Sequence, residues 1–292
     1  MKNITEIFSH FCCQVSKKQI QNMKKILAIA AAAIFTTGLA TQCTVKETTD
    51  VQTDVRAYPV LFHQTSAEYR ALCYQAFNLA KLQLELKLEK SAPGTKLAIV
   101  TDLDETIMDN SFSEAENIIL NREYNPDGWA GWVEMAAAPE VPGAVEFLQW
   151  VAGKGIEVFY ISNRKVSQVD ATLENLVKLN LPYADKEHML FKAEESSKQS
   201  RRDTVASKFE IALLLGDNLN DFTTAFEGGT IEERFAATDS ARNEWGTRFI
   251  VLPNAIYGEW ESAIYDYKKG LSNSEKAHLR KEKMIGYEKL GK

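Results

Sequence analysis

Cysteine is nearly absent from the body of this chain. Three of its four cysteines fall at positions 12, 13 and 43, and past Cys43 only Cys73 remains, on an apolar helical face. That excludes an intramolecular disulfide framework and any zinc-type cysteine spacing. Histidine is as sparse, and His63, His188 and His278 show no ligand spacing, so structural roles are their default. Positive charge is also short: Lys and Arg total 34 against 40 Asp and Glu, a net charge of −6, with no basic cluster of the kind nucleic acid needs. A nucleic-acid partner is disfavoured. Repeats and low-complexity segments are missing too. At 45% hydrophobic and 25% charged over 292 residues, the composition is that of a globular protein, which excludes disordered and collagen-like architectures.

A long hydrophobic run is lacking as well. From Met23 the chain reads MKKILAIAAAAIFTTGLATQC, a lysine pair, an apolar run from Ile26 to Phe35 and then small and polar residues. The apolar run is too short to span a membrane, and the order is that of a secretory signal peptide. Cys43, after Leu39-Ala40-Thr41-Gln42, is a candidate for lipid attachment, which predicts an outer-membrane lipoprotein of the cell envelope. The rival is a soluble exported protein cut after Ala40, because Gln42 is bulkier than the residue usual before a lipidated cysteine. Met23 also serves as a possible true start. Residues 1–43 carry five of the basic residues and one acidic residue, so 29 basic and 39 acidic remain beyond them, a net of −10.

Thr44 to Tyr58 is polar and without helical periodicity, and is read as a tether. Thr65-Ser66-Ala67-Glu68 has capping-box spacing, and strong helix formers then continue one long helix to about Lys90, despite the alternation of Leu82, Leu84, Leu86 and Leu88. After the breaker cluster Ser91-Ala92-Pro93-Gly94, a short apolar run, Lys96 to Thr101, ends abruptly in acids, the profile of a buried parallel strand. Ile156 to Ile161 and Ile211 to Leu215 repeat it, and Arg248 to Leu252 gives a fourth run. Helical stretches at Ala144 to Ala152 and Val166 to Leu179 intervene, so the expectation is an α/β fold, a parallel sheet with helices on both faces. Ligands of such sheets sit beyond the carboxyl ends of the strands. Residues 109–141, rich in Trp and Asn, interrupt the pattern as an insertion or smaller, mainly helical cap. The expected domain spans 59–268, followed by a helical tail at 269–292.

Three of the four polar signatures fall at strand ends. Asp102-Leu103-Asp104 places two carboxylates where one strand runs out, and Gly216-Asp217-Asn218-Leu219-Asn220-Asp221 supplies two more at another. Three or four carboxylates in one pocket repel one another unless a cation joins them, and Mg²⁺ held by oxygens is the hard-ion solution. A cation beside a carboxylate nucleophile suits an anionic electrophile such as a phosphoryl group. Ser162, at a third strand end, offers a hydroxyl, and Lys198 a point cation near a helix start. Each alone reads as a capping serine or a solvated lysine; the ordered set Asp-x-Asp, Ser, Lys, Gly-Asp-x-x-x-Asp is harder to get by chance.

That set resembles the haloacid dehalogenase (HAD) superfamily. Together with Asp109-Asn110-Ser111, Val141 to Phe147, Ser162-Asn163-Arg164-Lys165 and Leu252 to Trp260, it is similar to the class C acid phosphatases, over roughly residues 57–268. Those are surface lipoproteins that dephosphorylate nucleoside monophosphates and other phosphomonoesters. The resemblance implies that Asp102 becomes an aspartyl-phosphate and that Asp104 protonates the leaving group and then activates water. It implies Mg²⁺ on the Asp102 carboxylate, the Asp104 carbonyl and Asp217, with Asp221 in support, and phosphoryl oxygens held by Ser162 and Lys198. Trp129 and Tyr257 would stack a nucleobase, Asn163 would touch substrate, and Trp132 is left to packing. Dehalogenases of the superfamily lack the second aspartate, so Asp104 argues against dehalogenation. A non-catalytic nucleotide- or phosphate-binding lipoprotein and a phosphotransferase of the same fold are the rivals, and a homodimer stays open.

Overall fold

The computed structural model describes residues 53–289. Met23, the signal-type segment, Cys43 and the tether as far as residue 52 lie outside the described residues. Among the described residues no helix is long and apolar enough to cross a membrane.

The tether reading ends too late, because a helix already runs over Thr53–Thr65 (α1). Pro59 inside it removes a helical hydrogen bond, so docking rather than propensity accounts for this helix. Val60 and His63 are buried, Arg56 pairs with Glu114 at 2.7 Å, and Gln64 donates to the Ser111 hydroxyl. The long helix follows as α2, Ala67–Lys90. Its cap is Ser66, whose hydroxyl accepts from the Tyr69 amide at 3.0 Å, one residue beyond the cap expected at Thr65. The Thr65 hydroxyl instead donates to the Leu61 carbonyl inside α1. Tyr69, Cys73, Phe77, Ala80 and Leu84 form the buried face of α2, and each large apolar side chain there contributes about 2 kcal/mol. Leu84 is buried while Leu82 and Leu86 face solvent, so the leucine alternation is helical after all.

Five parallel strands form one sheet in the order β3-β2-β1-β4-β5: β1 Leu97–Thr101, β2 Glu157–Lys165, β3 Met189–Lys192, β4 Glu210–Gly216 and β5 Phe249–Val251. β3 is the strand the sequence pattern did not reveal. Successive β1 side chains point to opposite layers. Leu97 and Ile99 join α2 and the helix Ala144–Gly153, whereas Ala98 and Val100 pack with Val205, Phe222 and Phe226. With both faces covered, each central strand reads as a continuous apolar run.

The remaining helices, in chain order, are α3 Ser111–Ile119, α4 Pro126–Glu134, α5 Ala144–Gly153, α6 Val169–Lys178, α7 Gln199–Ala206, α8 Ile231–Ser240, α9 Glu259–Ile264 and α10 Asn273–Lys283. The insertion at 109–141 thus holds α3 and α4. Its second helix begins at Asn125, whose side chain accepts from the Gly128 amide, followed by Pro126 at the first helical position. Strand order reverses between β1 and β4, and the crevice beyond their carboxyl ends is where the acidic motifs emerge.

Candidate active site

The Asp102 amide donates to the Leu215 carbonyl at 2.9 Å, tying the end of β1 to the end of β4. The chain then turns sharply. The amides of Ile107 and Met108 both return to the Leu103 carbonyl, Glu105 adopts a left-handed φ of 57°, and its buried carboxylate caps the Asn110 amide at 2.8 Å. That turn brings Asp104 beside Asp102 with Leu103 buried between them. Beyond β4, Asp217 is followed by a 3-10 turn over Leu219–Asp221, and Asp221 folds back to accept from the Asn218 amide at 3.1 Å. A Cβ at Gly216 would collide with the Asp221 side chain, so only glycine lets the carboxylate lie this close to the strand end.

One carboxylate oxygen each from Asp102, Asp217 and Asp221 lie within 4.8 Å of one another. Lys198, almost fully buried ahead of α7, contacts Asp102 and lies 2.7 Å from Asp221. Burial works against its charge, but the two carboxylates outweigh burial and hold its pKa above the ordinary lysine value. Asp102 is raised well above the usual carboxylate range by burial, with Lys198 opposing and Asp221, Asp217 and Asp104 adding to the rise. Asp217 is pushed up to about 7, by burial first and Asp221 second. Its two oxygens accept from Asn254 at 2.7 Å and Thr106 at 3.4 Å.

Asp104 sits in a different setting. Arg164 donates to it from Nη2 at 2.7 Å and Nε at 3.0 Å, and Asn110 from Nδ2 at 2.9 Å. Ser162 is fully buried behind it, donating to Asp104 Oδ2 at 3.4 Å and accepting from the Arg164 amide at 3.0 Å. Its hydroxyl, expected on phosphoryl oxygens, is thus given to a carboxylate. The other expected residues come together: Asp102, Asp104, Lys198, Asp217, Asp221, Asn163, Trp129 and Tyr257 line one cavity of about 810 Å³. The Asn163 side-chain oxygen accepts from Arg201 at 2.8 Å. Trp129 carries the Arg164 guanidinium 5.4 Å above its ring. Trp132, read as packing, does pack on the core but also donates its indole N–H to Asn110 at 2.8 Å. His63 is buried against the Tyr69 ring, His188 lies between Asp185 and Glu157, and His278 pairs with Glu282. Arg164, Asn110 and Asn254 are what sequence reasoning missed: each lies inside a recognised motif, Asn110 six residues after Asp104, Arg164 two after Ser162 and Asn254 three after the end of β5.

A parallel α/β sheet whose strand ends gather four aspartates and a buried lysine defines a class of enzyme that handles an anion beside a cation. A family model described as HAD superfamily, subfamily IIIB (acid phosphatase), matches residues 16–260. Two solved structures are similar. The class C acid phosphatase from Bacillus anthracis is 39% identical with a TM-score of 0.77, covering 81% of this chain and 99% of that chain. The class C acid phosphatase from Bacillus anthracis with tungstate bound gives the same identity and TM-score over 80% and 98%. The chain belongs to the HAD subfamily IIIB acid phosphatases and is a phosphomonoesterase.

Proposed function

We propose that this phosphatase depends on Mg²⁺ and hydrolyses nucleoside 5′-monophosphates through an aspartyl-phosphate on Asp102. The observation that carries the reading is the division of labour between two neighbouring carboxylates. Asp102 shares Lys198 with Asp221, whereas Asp104 is bound by Arg164 and Asn110. One is placed to attack, the other to move a proton.

In the first step an Asp102 oxygen bonds to phosphorus while the ester P–O bond breaks. The bonding pair leaves with the substrate oxygen, which takes the proton of the Asp104 carboxyl. In the second step water bonds to phosphorus and gives a proton to the Asp104 carboxylate as the bond to Asp102 breaks, releasing phosphate. Lys198 neutralises charge gathering on the phosphoryl oxygens.

The donor set fits a hard divalent ion: three carboxylate oxygens, two of them on side chains whose charge is disfavoured by burial and repulsion that a cation would relieve. Asp102, Asp217 and Asp221, with the Asp104 carbonyl, would hold it. Bound there, it would supply charge neutralisation between the nucleophile and an anionic substrate. Tungstate on the Bacillus anthracis relative, a tetrahedral oxyanion like phosphate, supports an anion site of this kind. The nucleotide preference rests on Trp129 and Tyr257 lining the same cavity as Asp102.

Asp102→Asn tests the mechanism. Turnover should vanish with the fold intact, and acid quenching should leave label from a radiolabelled phosphomonoester on the wild type alone. A turning-over variant, or a wild type that never carries label, would sink the covalent intermediate.

A further inference from the structure

An arginine beside the site of a phosphatase invites assignment to the phosphoryl oxygens. The geometry of Arg164 points elsewhere. The side chain is 2% exposed, and four of its five N–H donors are committed: Nε and Nη2 to Asp104, Nη2 also to Asn110 Oδ1 at 3.3 Å, and Nη1 to the Thr172 hydroxyl on α6 at 3.0 Å. Its open face lies over Trp129. A rigid fork bonded along its edge and stacked on its face is held on Asp104 and is not free to follow a transferring group.

The two Asp104 oxygens are held unequally. Oδ1 accepts from Arg164 Nη2 at 2.7 Å, Asn110 Nδ2 at 2.9 Å and Arg164 Nε at 3.0 Å. Oδ2 has only the longer contacts, 3.3 Å from Nε and 3.4 Å from Ser162. Oδ1 is saturated, and Oδ2 is the oxygen with capacity to spare.

We propose that Arg164 is a positioning residue, one that clamps Oδ1 of Asp104, fixes the carboxyl plane and leaves Oδ2 as the oxygen that carries the proton to the leaving group. The same guanidinium holds the Trp129 ring of α4, so the proton donor and the aromatic wall of the cavity are set by one side chain. The proposal rests on the reading of Asp104 as the proton donor.

The test compares single-turnover phosphorylation by glycerol phosphate, whose alkoxide needs a proton, with that by nitrophenyl phosphate, whose phenolate does not. Arg164→Met should slow the glycerol substrate about tenfold or more and the nitrophenyl substrate far less, since general acid assistance is worth roughly a hundredfold or more where it is needed. Arg164→Lys keeps the charge without the fork; it should fold even if the methionine variant does not and show a smaller loss of the same selectivity. Inhibition by inorganic phosphate should be unchanged in both variants. Equal slowing of both substrates, no slowing of either, or phosphate inhibition weakened as much as the rate would overturn the proposal. Asp104→Asn, run in parallel, separates the two readings. If it loses both substrates equally, the proton-donor role fails; if it is selective while the Arg164 variants are not, only the role of Arg164 fails.

Discussion

At Asp217 opposing influences compete: burial and the Asp221 carboxylate disfavour its charge, whereas the Asn254 amide, Lys198 and a backbone hydrogen bond support it. Burial and Asp221 win, and its pKa is pushed up to about 7. An aspartate raised in this way binds its proton more tightly folded than unfolded. The metal-free protein is therefore at full advantage below the ordinary aspartate range, loses stability as pH rises from there, and levels off above about 7. Asp217→Asn, neutral and of the same shape, should match the wild type near pH 4 and melt at a higher temperature than it near pH 8 with chelator present. Added Mg²⁺ should reverse the order by stabilising only the wild type. A wild type more stable than the variant at pH 8 in chelator would show that the Asp217 charge is not in conflict with its surroundings. Asp102, raised by the same burial, adds in the same direction.

Helix α4 carries Trp129 to the cavity wall, and Tyr257, 40% exposed on the segment after β5, reaches the same cavity. Stacking of a base on such a ring is worth about 1–3 kcal/mol and is indifferent to which base it is. A base lying away from phosphorus is bound much alike in ground and transition state. Trp129→Ala should therefore raise KM for adenine and uracil nucleotides roughly tenfold with little change in kcat, and leave glycerol phosphate nearly untouched. If both kinds of substrate suffer alike, Trp129 serves the packing of the cap. Elements differed in how openly the sequence announced them. β1 and β4 lie inside the sheet with helices on both faces, so each is a pure apolar run stopped by acids. β3 is an edge strand of four residues alternating buried and half-buried, and Met189–Lys192 looks like a loop. The aspartates and Lys198 were legible because each sits where a strand or helix boundary is marked. The partnership of Arg164 with Asp104 spans 60 residues of sequence and depends on how the β1 and β2 ends register, which no local pattern encodes.

For the molecule as a whole, the least legible feature is the attachment of α1. Its outward residues Val55, Tyr58, Leu61 and Phe62 are apolar and its inward ones include His63, which inverts the usual amphipathic signal. Yet α1 ties the first described residues to α3 and the loop before it through Arg56 and Glu114, through Gln64 and Ser111, and through His63, 3.7 Å from Asp109. Asp109 in turn receives the Ser111 amide at 2.9 Å, at the point where the loop that follows Asp102 and Asp104 becomes α3. Removing α1 should thus do more than shorten the protein. A chain beginning at Ser66 loses the burial of Val60, worth about 2 kcal/mol, and the half-buried Arg56–Glu114 pair. At this chain length its melting temperature should fall by roughly 5 °C or more. Because the uncovered residues border α3 rather than the sheet, KM for a nucleotide should rise more than kcat falls. An undiminished melting temperature would mean that α1 is only an appendage on the cap, and a loss confined to kcat would place its influence on the loop of Asp102 and Asp104 instead.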